Sequence, residues 1–203
     1  MKTAVLIIFT VGILLGGAVG YGIVPRILSQ NVSSTTVTQN NSDLLDQYFI
    51  QQMIPHHEDA IIISKLAEQH AQRPEIQQLA KTIIADQSNE IHEMEELYKK
   101  WYNKNLPQGH SDMHHHGVSE SSEMHMGMIG TNDDITRMTE SEDFDKAYIE
   151  HMIPHHQMAV MMADLVKAGT TRGEIKTRAN TIITAQTKEI DQMRTWYQSW
   201  YNN

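Results

Sequence analysis

The chain has 203 residues, 40% of them hydrophobic and 20% charged, enough for one buried core with peripheral segments. A net charge of −9 argues against a nucleic-acid partner, which requires a basic face, and favours cations. With no cysteine, disulfide frameworks, zinc fingers and thiol chemistry are excluded, while 13 Met and 12 His against 3 Phe leave thioether and imidazole donors in unusual supply.

Residues 1–24 carry Lys2 and an apolar run from Ala4 to Val24, ahead of Pro25-Arg26. This reads as an export signal with a small-residue cleavage site at Ala18-Val19-Gly20, or, uncleaved, as a membrane anchor. Both readings place the rest in the periplasm or outside the cell, touching a membrane only through this segment. Residues 25–42, rich in Ser, Thr, Asn and Gln, read as a flexible tether.

Residues 43–102 form a first helical hairpin. Leu45, Phe49, Met53, Ala60, Ile63 and Ala67 return every three or four residues, with His56 in the same stripe. Pro55 removes one backbone hydrogen bond and predicts a kink rather than a stop. Pro74 suits the first turn of a second helix, whose stripe of Ile76, Ala80, Ile83, Gln87, Glu90, Met94, Tyr98 and Trp101 is interrupted by two polar residues. Residues 103–140 are a Gly-, Ser-, His- and Met-rich crossover, read as mostly loop with one helical turn near Asp133 to Met138. Residues 141–203 repeat the hairpin, with Ser141 as N-cap of a helix ending near Gly169 and Thr171 with Glu174 as a capping box for the last helix.

The repetition is literal at one place. Met53-Ile54-Pro55-His56-His57 recurs as Met152-Ile153-Pro154-His155-His156, an offset of 99 that also relates Ile83 to Ile182, Gln87 to Gln186, Glu90 to Glu189, Met94 to Met193 and Trp101 to Trp200. Two hairpins burying their stripes together predict an all-α four-helix bundle, residues 43–203 forming one domain.

On a helix, Met53 shares a face with His56 and His57, so a sulfur and an imidazole nitrogen can converge. Counting back from a turn near residue 72 places Met53 level with Met94 and His56 level with Glu90. The same count applies to Met152, His155, His156, Glu189 and Met193. Thioethers select soft ions, so the predicted cargo is Cu(I), with Cu(II) and Ag(I) as further candidates. The second copy adds His151, Met158, Met161 and Met162 where the first has Gln52, Asp59, Ile62 and Ile63, which predicts that the second half binds more ions. The crossover contributes His110, Met113, His114, His115, His116, Met124, His125, Met126 and Met128, a tract suited to collecting or handing over metal.

Each donor has an ordinary explanation. Met94 and Met193 fill gaps as core methionines do, and His56 and His155 fit as buried neutral imidazoles bonded to Glu90 and Glu189. What packing alone does not require is the same Met-x-Pro-His-His unit in both halves. The paired Trp-Tyr-Asn triplets read as packing at the bundle end.

These motifs, together with Gln-x-x-Glu-Ile-x-x-Met at Gln87 to Met94 and Gln186 to Met193, resemble the family catalogued as domain of unknown function 305, in particular its copper-binding periplasmic type. The resemblance implies a ferritin-like bundle that binds Cu(I) through Met53, His56, His57, Met94, Met152, His155, His156 and Met193 in copper resistance. The resulting expectation is an exported copper-sequestering or copper-transferring protein, not an enzyme, with copper ions and copper efflux or sensor proteins of the envelope as partners. The alternatives are a ferritin-like di-metal redox enzyme bridged by Glu90 and Glu189, and an envelope interaction module whose histidines are structural.

Overall fold

The computed structural model describes residues 34–106 and 132–202; the N-terminal apolar run and the tract from His110 to Met128 lie outside the described residues. Five helices follow in order: α1 Ser34–His70, α2 Pro74–Tyr102, α3 Asn132–Thr139, α4 Phe144–Gly169 and α5 Gly173–Tyr201. There is no strand among the described residues. Helices α1 with α2 and α4 with α5 form the two hairpins, and α1 lies against α4. The bundle expected from the stripes is the one observed.

Several boundaries differ from the sequence reading. Helix α1 begins at Ser34, so the second half of the expected tether is helical. One reason is visible at Ser42, which is 3% exposed and whose Oγ accepts the Thr171 amide at 2.9 Å. A polar stretch can extend a helix when one of its residues docks against the turn of another hairpin. Helix α1 continues through Pro55, which costs one backbone donor but leaves the flanking turns bonded.

Helix α4 is capped by Asp143, not Ser141: the Asp143 carboxylate accepts the Lys146 amide at 2.9 Å. The capping box expected at Thr171 is also absent, because the Thr171 amide is taken by Ser42 and α5 starts at Gly173 with no side-chain cap. Pro74 does occupy the first turn of α2. That helix closes at Asn103, in the left-handed region (φ 48°), a conformation Asn tolerates better than most residues.

The aromatic triplets do more than fill a bundle end. Arg73, in the first hairpin's turn, stacks over Trp200 at 4.5 Å and donates to Tyr201 Oη at 3.0 Å. Arg172, in the second turn, stacks over Trp101 at 4.3 Å and donates to Tyr102 Oη at 3.1 Å. Each turn is thus clasped by the other hairpin's end, which sets the hairpins antiparallel about a pseudo-two-fold axis.

This arrangement divides the apolar core into two clusters. In one, Met53, Met94 and Phe49 pack with Ala159, Ala163, Val166 and Ile182 of the other hairpin. In the second, Met152, Met193 and Tyr148 pack with Ala60, Ile63, Ile76 and Ile83. Helix α3 lies over α1 and α4 beside this second cluster and buries Met138 in it, to 3% exposure.

Candidate metal centre

Adjacent helical residues point about 100° apart, so a His-His doublet cannot turn both rings to one neighbour. His57 is directed at its own hairpin, where its Nε2 lies 2.8 Å from Glu90 Oε2; His156 repeats the contact with Glu189 Oε2 at 2.8 Å. His56 and His155 are directed at each other across the two hairpins, with ring centroids 3.7 Å apart. All four imidazoles are at most 2% exposed.

The helical count from the turn paired His56 with Glu90, whereas Glu90 is bonded to His57. The count located the right height but not the rotation about the helix axis, and one residue of rotation exchanges the hairpin partner for the opposite hairpin. His56 and His155 lie instead between the two hairpins, one contributed by each.

The bonding leaves lone pairs without partners. A carboxylate only accepts, so the Nε2 of His57 and of His156 carries a proton and donates it. Neither Nδ1 has a hydrogen-bond partner, and neither nitrogen of His56 or His155 has one, so six of the eight ring nitrogens are buried and unsatisfied. Each orphaned group costs about 1–3 kcal/mol unless something binds it. A buried His that donates one N–H to a carboxylate and leaves the other nitrogen bare has the arrangement of a metal ligand with its supporting partner.

Electrostatics keep the central rings neutral. The His56 pKa is lowered to about 3, first by burial, then by the His57 and His156 rings, with the main chain at His155 opposing. Burial likewise holds His155 well below its ordinary value, reinforced by His56, His156, His57 and His151. Neutral imidazole is the form that coordinates metal.

The sulfurs flank this layer. Met53 with Met94, and Met152 with Met193, are fully buried, one pair in each core cluster. Among the described residues no three His, Asp or Glu side chains are placed to hold a metal together.

The residues that enrich the second copy are placed differently from expectation. Met162 is partly buried against the cluster that contains Met53 and Met94 of the first copy. Met158 is half-buried one turn earlier, Met161 is 52% exposed, and His151 is half-buried and near enough to disfavour a charge on His155. Because the hairpins run antiparallel, Met162 of the second copy borders the first copy's methionines. Sequence reasoning also missed Gln87 Oε1 and both amide atoms of Gln186 as unsatisfied groups of the buried stripe. Their signal was present, as two polar residues interrupting an apolar face.

Residues 46–203 match the family described as Domain of unknown function (DUF305). The chain belongs to this family. Among solved structures, the Cu(II)-bound form of CopM is 41% identical, with a TM-score of 0.66, covering 77% of this chain and 97% of that one. The Cu(I)-bound form of CopM is 38% identical, with a TM-score of 0.62 and the same coverage. A DUF305 fragment from Deinococcus radiodurans, 23% identical with a TM-score of 0.61 over 74% of this chain and 93% of that one, shares the fold. Uncharacterized protein L153 of Acanthamoeba polyphaga mimivirus is 44% identical over 52 residues, 26% of this chain; the match spans about a third (34%) of that relative.

Proposed function

We propose that this DUF305 protein binds copper, chiefly as Cu(I) with Ag(I) as its chemical equivalent, at a centre shared by the two hairpins, and that it holds or passes on the ion without catalytic turnover. The observation that carries this reading is the His56–His155 layer, in which four buried imidazoles leave six nitrogens unpartnered between two pairs of buried methionines. His56, His155 and the Nδ1 atoms of His57 and His156 supply imidazole. Met53 with Met94, and Met152 with Met193, supply thioethers, which favour soft monovalent ions over zinc or iron. Similarity to CopM, solved in Cu(I)-, Cu(II)- and Ag-bound forms, supports the same cargo.

The N-terminal apolar run supports an exported protein, and the tract from His110 to Met128 supports capture or hand-over to envelope efflux or sensor proteins. The His57–Glu90 and His156–Glu189 bonds suit purely structural histidines as well, but that reading gives no partner to His56 and His155. Anaerobic Cu(I) titration against a coloured competing chelator tests the proposal. Changing Met53, Met94, Met152 and Met193 together to Leu is expected to weaken the tightest binding by about two orders of magnitude while far-UV dichroism stays helical. Unchanged affinity in that variant and in His56→Leu/His155→Leu sinks it.

A further inference from the structure

The repeat places like residues in like positions along most of α2 and α5, and where it departs, the two sides of the buried histidine layer become unequal. Leu79 of α2 is the repeat partner of Arg178 of α5. Arg178 reaches across to α2, with Nη1 3.6 Å from Glu90 Oε1 and Nη2 paired with Glu93. Its side chain is only 16% exposed, so a guanidinium fills the surface beside the His57–Glu90 pair.

On the other side of the pseudo-two-fold axis, Leu79 cannot make those bonds. There a groove of about 610 Å³ opens between α2 and α5, lined by Leu79, Thr82, Asp86, Ala185, Glu189 and Trp196 among others. Glu189 connects it to the interior: the same carboxylate that lines the groove accepts from His156 Nε2 at 2.8 Å. His156 is 0% exposed, and its Nδ1 is unpartnered. Asp86 is a second carboxylate lining the groove, facing the position of its repeat partner Ala185. Burial raises the Asp86 pKa, and the neighbouring Glu189 and Glu90 raise it further.

We propose that the α2–α5 groove is the route by which a soft monovalent cation reaches His156 and His155, and that Arg178 seals the equivalent route over His57. The inference rests on the copper reading above. Glu75, Asp86 and Glu189 outnumber Lys188 among the residues lining the groove and leave it net negative toward a cation, whereas on the other side the Arg178 guanidinium occupies the space beside Glu90. The two faces of one centre thus differ in access while their imidazoles are alike.

Silver nitrate alone is the probe, mixed with the full chain in a stopped-flow instrument and followed by tryptophan fluorescence, with Trp196 lining the groove. Bound silver at saturation is counted separately by mass spectrometry. Ala185→Phe, which narrows the groove, is expected to slow loading about tenfold, and Asp86→Asn, at an exposed position that leaves the fold intact, to slow it severalfold. In both, the silver content at saturation equals the parent's. Arg178→Leu is expected to speed loading by opening the second face. Parent-like rates in both Ala185→Phe and Asp86→Asn overturn the access route while leaving the copper reading standing. A parent chain that takes up no silver overturns both.

Discussion

The two hairpins come from one repeated unit, yet their turns are held by different chemistry. At the first turn Asp145 of α4, 1% exposed, accepts the amides of Gln72 and Arg73 at 3.0 and 2.9 Å and the Arg73 guanidinium at 3.1 Å. Its repeat partner Asp46 accepts neither amide of the second turn. The Thr171 amide goes to Ser42 Oγ, and the Arg172 amide goes to Thr170 Oγ1, a hydroxyl where the first turn has Ala71. Asp46 is left 0% exposed with Arg172 Nη1 at 3.6 Å, and burial raises its pKa. Duplication preserves helices because their stripes tolerate no shift, whereas two hydroxyls, those of Ser42 and Thr170, suffice to redirect a turn.

The largest break in this comparison is expected from Asp145. Asp145→Ala removes the acceptor of two turn amides and should cost about 2–3 kcal/mol in urea unfolding, whereas Asp46→Asn should be neutral or mildly stabilising. Adding Thr170→Ala sharpens the test, since the freed Arg172 amide can then turn to Asp46 and the asparagine substitution should become costly. Equal costs for Asp145→Ala and Asp46→Ala in the parent would remove the contrast.

The histidine layer, by comparison, is symmetric, and its titration should act on the whole bundle. Because the His56 pKa falls from 6.5 to about 3 on folding, the unfolded chain binds more protons between those values. The metal-free protein should therefore keep its full stability above pH 6.5 and lose on the order of a few kcal/mol as the pH falls toward 3. Thermal melts across that window check this, and His56→Leu/His155→Leu should flatten the profile.

The smallest contrast is on the outer face of α1 and α4. Leu66 packs against the cluster beside α3, while the other end of this face leaves Leu165, Met161, Tyr48 and Leu44 exposed. Leu66→Lys is expected to cost about 1–2 kcal/mol and Leu165→Lys less than about 0.5 kcal/mol, read from the same denaturation curves.

Much of the fold was legible. The stripes, Pro74 and the offset of 99 specified two hairpins, since each element's periodicity agreed with its neighbour's. Local signals failed where competition between partners decided the outcome. Ser141 and Asp143 both suit an N-cap, and Asp143 is the residue that caps Lys146. Thr171 has the right spacing for a capping box, but Ser42, 129 residues away in sequence, takes its amide.

By itself the sequence determined which donors exist and that they come twice: Met53, His56, His57 and Met94 in one copy, Met152, His155, His156 and Met193 in the other. Those are consequences of composition and helical spacing, which act over a few residues. Only the tertiary structure decided which imidazole faces which neighbour, that His56 and His155 meet at 3.7 Å, that Met162 borders the first copy's methionines, and that Arg178 covers one side of the layer but not the other. Rotation about a helix axis and the antiparallel crossing of two hairpins settle these points, and neither leaves a trace in spacing along one helix.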